Sequence, residues 1–231
     1  MKKYLIERYA NNSWHRFQNC QTINFIRLLS GAEYTRVCDI GAGKGYWSYV
    51  GVKKNLFKNE IDGCDIFNDY QIEEITALNR EICLDFKLVE GTKLPFVDGY
   101  FDLVFSMDVI EHVENDHRFF SEHIRIAKPG GTILIGTPNR HRLSNLLLKF
   151  VGKLHYPRIM GEDSYGRVVH LREYERYQLI NLINLNISEI DINSVEIIPC
   201  WFGHPVKYGC CRAPPFLENF CQFWFVKFKR R

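Results

Sequence analysis

Along this chain, short and almost wholly apolar runs alternate with longer stretches in which apolar side chains recur every three or four positions. The short runs are RVCDI at 36–40, EIDGCDI at 60–66, FKLVEG at 86–91, FDLVFS at 101–106 and GTILIGT at 131–137. Strands buried on both faces read this way. Over 13–30, Trp14, Phe17, Phe25 and Leu28 fall near helical spacing, and further helices are predicted over 44–57, 70–80 and 115–127. Lys128-Pro129-Gly130-Gly131 is expected to stop the last of these. The alternation predicts a parallel sheet covered by helices.

The pattern breaks after Pro138. Residues 139–171 form a lid-like insertion. Its leucine-rich part, LSNLLLKFVGKL, places Leu143, Leu146, Leu147, Phe150 and Leu154 on one face of a short helix, expected to pack on the sheet. The rest of the insertion reads as loop. A helix over 172–184, a sixth strand ISEIDI at 187–192, a long loop at 194–215 and a seventh strand FCQFWFVKF at 220–228 complete the chain. One domain over 1–231 is expected, with 1–34 as a helical cap.

Composition changes this picture little. The 231 residues are 46% hydrophobic and 25% charged, with a net charge of +3. That charge does not suggest nucleic acid. No apolar run reaches the roughly 18 residues of a membrane helix, and the first residues lack a secretory pattern. The eight cysteines form no C-x-x-C pair, so a reduced, cytoplasmic protein is expected.

Candidate chemistry begins at VCDIGAGKGYWS, 37–48. Gly41, Gly43 and Gly45 leave the backbone bare just after a strand, so a ligand can lie against it. Tyr46 stands where the dinucleotide fingerprint has its third glycine, which argues against a nicotinamide cofactor. Asp39 precedes the turn and can attract a cation. Asp65, about twenty residues beyond the turn, is placed to accept ribose hydroxyls.

VCDIGAGKG, EGTKLPFVDGYFDLVFSMDVIEHV and HIRIAKPGGTILIGTPNR resemble class I S-adenosylmethionine-dependent methyltransferases. The resemblance is to the broad small-molecule group that includes ubiquinone-pathway O-methyltransferases, over residues 35–190. It implies a Rossmann-like, seven-stranded, mostly parallel α/β sheet with the last strand antiparallel and helices on both faces. It also implies S-adenosylmethionine as cofactor. The glycines would lie under its methionine part, with Asp39 near the ammonium. Asp65 would hold the ribose, Ile66 would cover the adenine, and Glu90 or the Gly91 backbone would meet the adenine amino group. Ser106 and Met107 would offer backbone carbonyls. The apolar tail then reads as a buried strand rather than a membrane anchor.

A proton taken from the acceptor calls for a base near neutral pKa, and histidine is the natural choice. His112, in DVIEH, and His170, in VVHLREYERYQLI, are the candidates. No metal ligands are assigned, although ubiquinone-pathway and small-RNA 2′-O-methyltransferases carry a similar acid-x-x-Glu-His that binds a divalent ion. His117, His123 and His141 read as surface residues. Trp14, Tyr46, Trp47 and Trp201 read as core or as an aromatic pocket. The basic insertion suits a small anionic or amphiphilic acceptor and is compatible with peripheral membrane contact. Methylation of a small molecule on oxygen is the main expectation. RNA 2′-O-methylation and a non-catalytic binder on the same fold stay open.

Overall fold

The computed structural model describes residues 15–43, 45–66, 82–91, 93–163, 166–201 and 215–231. The strands are β1 (Tyr34–Ile40), β2 (Phe57–Asp65), β3 (Leu84–Leu88), β4 (Phe101–Met107), β5 (Ala127–Pro138), β6 (Arg158–Asp163), β7 (Gly166–His170), β8 (Ile190–Cys200) and β9 (Phe223–Arg230). Seven of them form one sheet in the order β3-β2-β1-β4-β5-β9-β8. Neighbours from β3 to β5 pair in parallel, whereas β9 runs antiparallel to both β5 and β8. The helices are α1 (His15–Leu29), α2 (Tyr46–Lys53), α3 (Asp116–Ile126), α4 (Leu143–Phe150) and α5 (Arg176–Leu185).

Alternation along the strands divides the core in two. Val104, Ile133, Ile135, Trp224 and Val226 pack with Phe120 and Ile124 of α3 and Leu179 and Leu182 of α5. Their neighbours Leu103, Phe105, Leu134, Phe223 and Phe225 pack on the opposite face with Phe25 and Leu28 of α1 and Val50 of α2. Burial on both faces explains why these strands read as continuous apolar runs. It also places the aromatic tail: Phe223, Phe225 and Phe228 are fully buried in β9.

Several boundaries differ from expectation. Strand β3 starts two residues earlier, at Leu84. Lys128-Pro129-Gly130-Gly131 does not lie outside the sheet but forms an irregularity in β5. Phe101 pairs with Ala127 and Leu103 with Thr132, so β5 holds more residues than β4 over that interval. Gly131 is needed there, because a Cβ would lie 2.8 Å from the Lys128 carbonyl. Strand β8 runs on to Cys200, since β9 supplies a partner along its length. The loop-like part of the insertion contains a hairpin, β6 with β7; its short, polar strands give little periodic signal. The helix expected over 70–80 lies outside the described residues, as do Trp14 and 202–214.

Cys38, Cys64, Cys83, Cys200 and Cys221 carry free thiols, whereas Cys20 is disulfide-bonded. The expectation of eight reduced thiols therefore fails at Cys20. It rested on close spacing in sequence, which says nothing about pairing across the fold. Among the described residues no helix is long and apolar enough to cross a membrane.

The chain winds from β1 outward through β2 and β3 on one side, then returns to β4 and β5 on the other. A crevice therefore opens beyond the carboxyl ends of β1 and β4, the usual ligand position in such sheets.

Candidate active site

The glycine turn leaves β1 at this switch point. Gly41, Gly43 and Gly45 have φ of +69°, +52° and +70°, the left-handed region that glycine enters without penalty. At Gly41 a Cβ would also fall 2.3 Å from Val109 Cγ2. The turn is tied to β2. The N–H groups of Gly41 and Ala42 both donate to the Cys64 carbonyl, at 2.7 and 3.0 Å. Asp65 Oδ2 accepts from the Gly43 N–H at 2.9 Å, and its Oδ1 accepts from the Ile66 N–H at 2.7 Å. A carboxylate offers about four lone-pair sites, so turn and ligand can share this one.

Asp39 lies beneath the turn, only 1% exposed. Its Oδ2 accepts the Ser48 hydroxyl at 2.7 Å. Burial pushes its pKa up to about 7 against that bond, and the Asp65 charge adds to the rise. The Tyr46 hydroxyl meets Thr22 Oγ1 of α1 at 2.8 Å, so the ring that replaces the third glycine is anchored toward α1. Tyr46 and Trp47 pack partly buried beside the core with Phe25. Trp201 packs there as well.

At the rim, Ile66 is 62% exposed. Glu90 is exposed too, and a Cβ on Gly91 would meet open space. Ser106 and Met107, at the end of β4, are buried. The Ser106 hydroxyl donates to His123 Nε2 at 2.9 Å, and His123 Nδ1–H donates to the Phe119 carbonyl at 2.8 Å. Met107 packs on Gly136, where a Cβ would lie 2.6 Å from its sulfur. Side chains of both residues are thus committed to the interior. His123 is fully buried, not on the surface, and burial lowers its pKa to about 4. His117 is exposed and His141 half-buried.

Beyond β4 the backbone turns sharply, with Asp108 at φ +58°. The 3-10 turn Ile110–His112 follows. The end of the insertion folds back onto it: the N–H of Leu171 donates to the Glu111 carbonyl at 2.9 Å. This contact brings His170 to His112, with ring centroids 4.8 Å apart. His112 Nδ1–H donates to the Val169 carbonyl at 2.7 Å, and His170 Nδ1 bonds Glu173 Oε1 at 2.9 Å. His112 Nε2 lies 3.9 Å from Glu111 Oε1. Burial lowers the His112 pKa, and His170 adds to the effect.

Glu111 is fully buried. Its Oε2 accepts the Thr137 hydroxyl at 2.9 Å, while Oε1 has no hydrogen-bond partner among the described residues. Burial raises its pKa well above the carboxylate range, and neighbouring Asp108 and Glu173 add to this. Glu173, also fully buried, is held by Arg142, Asn145 and His170. Burial works to raise its pKa, yet the His170 bond and Arg142 hold it below the usual value.

A methyltransferase-domain family profile matches residues 38–135. A probable S-adenosylmethionine-dependent methyltransferase of Mycolicibacterium smegmatis is 44% identical over 180 residues, 78% of this chain and 61% of that protein. A ubiquinone biosynthesis O-methyltransferase of Chelativorans is 27% identical over 153 residues, 65% of this chain and 59% of that one. This chain therefore spans less than two thirds of either relative. Among solved structures, a Thermotoga maritima methyltransferase, titled as a possible histamine N-methyltransferase, superposes with TM-score 0.62 at 16% identity, covering 99% of both chains. The N-methyltransferase NodS of Bradyrhizobium japonicum, in complex with S-adenosyl-L-homocysteine, gives 0.58 at 13% identity over 96% of this chain and 90% of that one.

The chain belongs to the class I S-adenosylmethionine-dependent methyltransferases. S-adenosylmethionine is the methyl donor of that family. In this methyltransferase Asp65 is bonded to the glycine turn, β3 is tied to β2 by the Val89 N–H to the Asp65 carbonyl, and His112 lies against His170. Sequence reasoning assigned no metal ligands. The structure brings Glu111, His112 and His170 together, with one ligand atom of each within 4.8 Å of the others, a set able to hold a metal ion. Glu173 was missed altogether. Its signal was the i, i+3 pair in HLRE, a histidine followed by a carboxylate that can orient it.

Proposed function

We propose that this methyltransferase transfers the methyl group of S-adenosylmethionine to an oxygen of a small-molecule acceptor. What supports the reading is the Glu173–His170–His112 chain, built on the segment that follows β4, whose Val109 lies against Gly41 of the glycine turn. The donor's sulfonium supplies the activated methyl, so the demanding chemistry lies in that group. The residues of this chain bind, orient and accept a proton. The bare turn receives the methionine portion, and Asp65 accepts the ribose hydroxyls while it braces Gly43. Ile66 covers the adenine, with Glu90 and the Gly91 backbone at its edge.

Glu173 fixes the His170 tautomer, with the proton on Nδ1 and the lone pair on Nε2. His170 Nε2 removes the hydroxyl proton as the acceptor oxygen forms its bond to the methyl carbon. The carbon–sulfur bond breaks, and sulfur keeps its electron pair. His112, whose burial disfavours the charged form, forms the acceptor-side wall.

A second reading is favoured by the unpartnered Glu111 Oε1. Asp108, Glu111 and Glu173 lie close together, and Arg142 pairs directly with Glu173, so a divalent cation held by Glu111, His112 and His170 would suit the cluster. Such an ion would act as a Lewis acid toward the acceptor oxygen, and the proton would then leave by another route. Activity that survives EDTA supports the histidine base. Loss restored by magnesium or manganese supports the cation.

Isothermal titration tests the cofactor assignment. S-adenosylmethionine and S-adenosylhomocysteine are expected to bind, and Asp65→Ala to weaken both by about 10-fold or more, the loss of a charged hydrogen bond. Binding of NAD alone would overturn the reading. The acceptor is sought by mass spectrometry, as the compound in cell extract that gains one methyl group on incubation with the protein and donor.

A further inference from the structure

Helix α4 presents its apolar face outward. At about 100° per residue, Leu143, Leu147, Phe150 and Val151 fall on one side and Asn145 nearly opposite. A surface helix ordinarily turns its apolar stripe to the core, and the sequence reading expected that here. Instead Asn145 is the buried residue, 1% exposed. Its amide donates to the Arg140 carbonyl and to Glu173, and its Oδ1 accepts from Arg158 of the hairpin. The four apolar side chains are 52%, 72%, 93% and 59% exposed. Ile159 and Met160, next to Arg158, add exposures of 54% and 36%. Other exposed apolar residues are scattered over the surface, a normal condition; among the described residues, only here do three residues of one helix and its C-cap residue share a face.

Charge narrows the choice of partner. Helix α4 contains no acidic residue. Lys149 and Lys153 are exposed and have no acidic partner among the described residues. A second copy of this chain would set those lysines against their own kind, which costs energy at a two-fold interface. Single-stranded nucleic acid is bound by several stacking rings, and this face offers only Phe150.

We propose that this face docks on an anionic lipid bilayer, with α4 lying in the interface plane and Leu147 and Phe150 entering the acyl boundary. The lysines then lie at the level of the anionic headgroups. Asn145 and Arg142 couple the docked helix to Glu173, so the histidine end of the crevice sits close to the lipid. The docking inference stands without the methyl-transfer reading, because its readout is vesicle binding.

Flotation of the full chain with vesicles tests it, comparing phosphatidylcholine alone with phosphatidylcholine plus phosphatidylglycerol. Binding is expected with the anionic vesicles and is weakened by added salt. The pair Leu147→Ser with Phe150→Ser is expected to lower it at least about 10-fold. Lys149→Glu with Lys153→Glu should weaken it about 5-fold per charge. All four side chains face solvent, so melting temperature and S-adenosylmethionine affinity should not change. Failure of the wild type to float with any vesicle overturns the proposal, as does equal flotation of wild type and the serine variant. A concentration-dependent dimer abolished by the same serines would assign the face to a second copy. RNA binding without vesicle binding would assign it to nucleic acid.

Discussion

The two ends of the crevice are built by different means. At the turn, short-range geometry does the work: left-handed glycines, N–H groups donated to Cys64 and Asp65, and a backbone approached closely by Val109. At the histidine end, side chains distant in sequence are held by buried charge, with Glu173 joining Arg142, Asn145 and His170. The first end tolerates almost no change of shape. The second tolerates changes of shape better than changes of charge.

The largest expected effect comes from breaking shape at the turn. Gly41→Val meets both the positive φ and the Val109 methyl groups, and should lower S-adenosylmethionine affinity by about 10³-fold, the sum of clash and backbone strain. Adding Val109→Ala should recover only the steric share in a titration. Full recovery would show that the backbone conformation is unimportant.

Breaking charge at the other end comes next. Glu173→Gln keeps the shape but loses the carboxylate that orients His170. A fall in kcat of about 10²-fold is expected, the lower end of general-base contributions. Affinity for S-adenosylmethionine should stay at the wild-type value. If affinity falls in parallel with kcat, the two ends are not separate.

A smaller effect concerns pH. Asp39 titrates near 7 in the folded protein, against about 3.9 when unfolded. The folded state therefore binds the extra proton between these values, and this contribution to stability falls as pH rises from about 4 to about 7. In a binding mode that sets the donor's ammonium near Asp39, the ionised carboxyl is favoured, so affinity should rise by up to about 10-fold between pH 6 and pH 8. Titrations at the two pH values check this, and Asp39→Asn should flatten the dependence. A slope that survives in Asp39→Asn would assign it to another group.

The same contrast decides what could be read from sequence. The glycine turn, Asp65 and the buried strands were legible because each is a local pattern: spacing after a strand, an acid at a strand end, an unbroken apolar run. The approach of His170 to His112 was not, because it depends on the end of the insertion bonding back to Glu111 across the fold. His123 was misjudged for a related reason: its partners, Ser106 and the Phe119 carbonyl, are what make a buried imidazole tolerable. The outward apolar face of α4 was missed because periodicity reports that a stripe exists, not which way it points. Here the polar anchor Asn145 sets the direction.

The position of β9 between β5 and β8 has a consequence for synthesis. A ribosome delivers β8 before β9, yet β8 has no place in the sheet until β9 has been laid against β5. During that interval the border of the apolar strand β5 stands open beside an unpaired β8, the condition under which nascent chains stick to one another. Holdase chaperones would therefore be most needed in the seconds before the aromatic residues of β9 leave the exit tunnel.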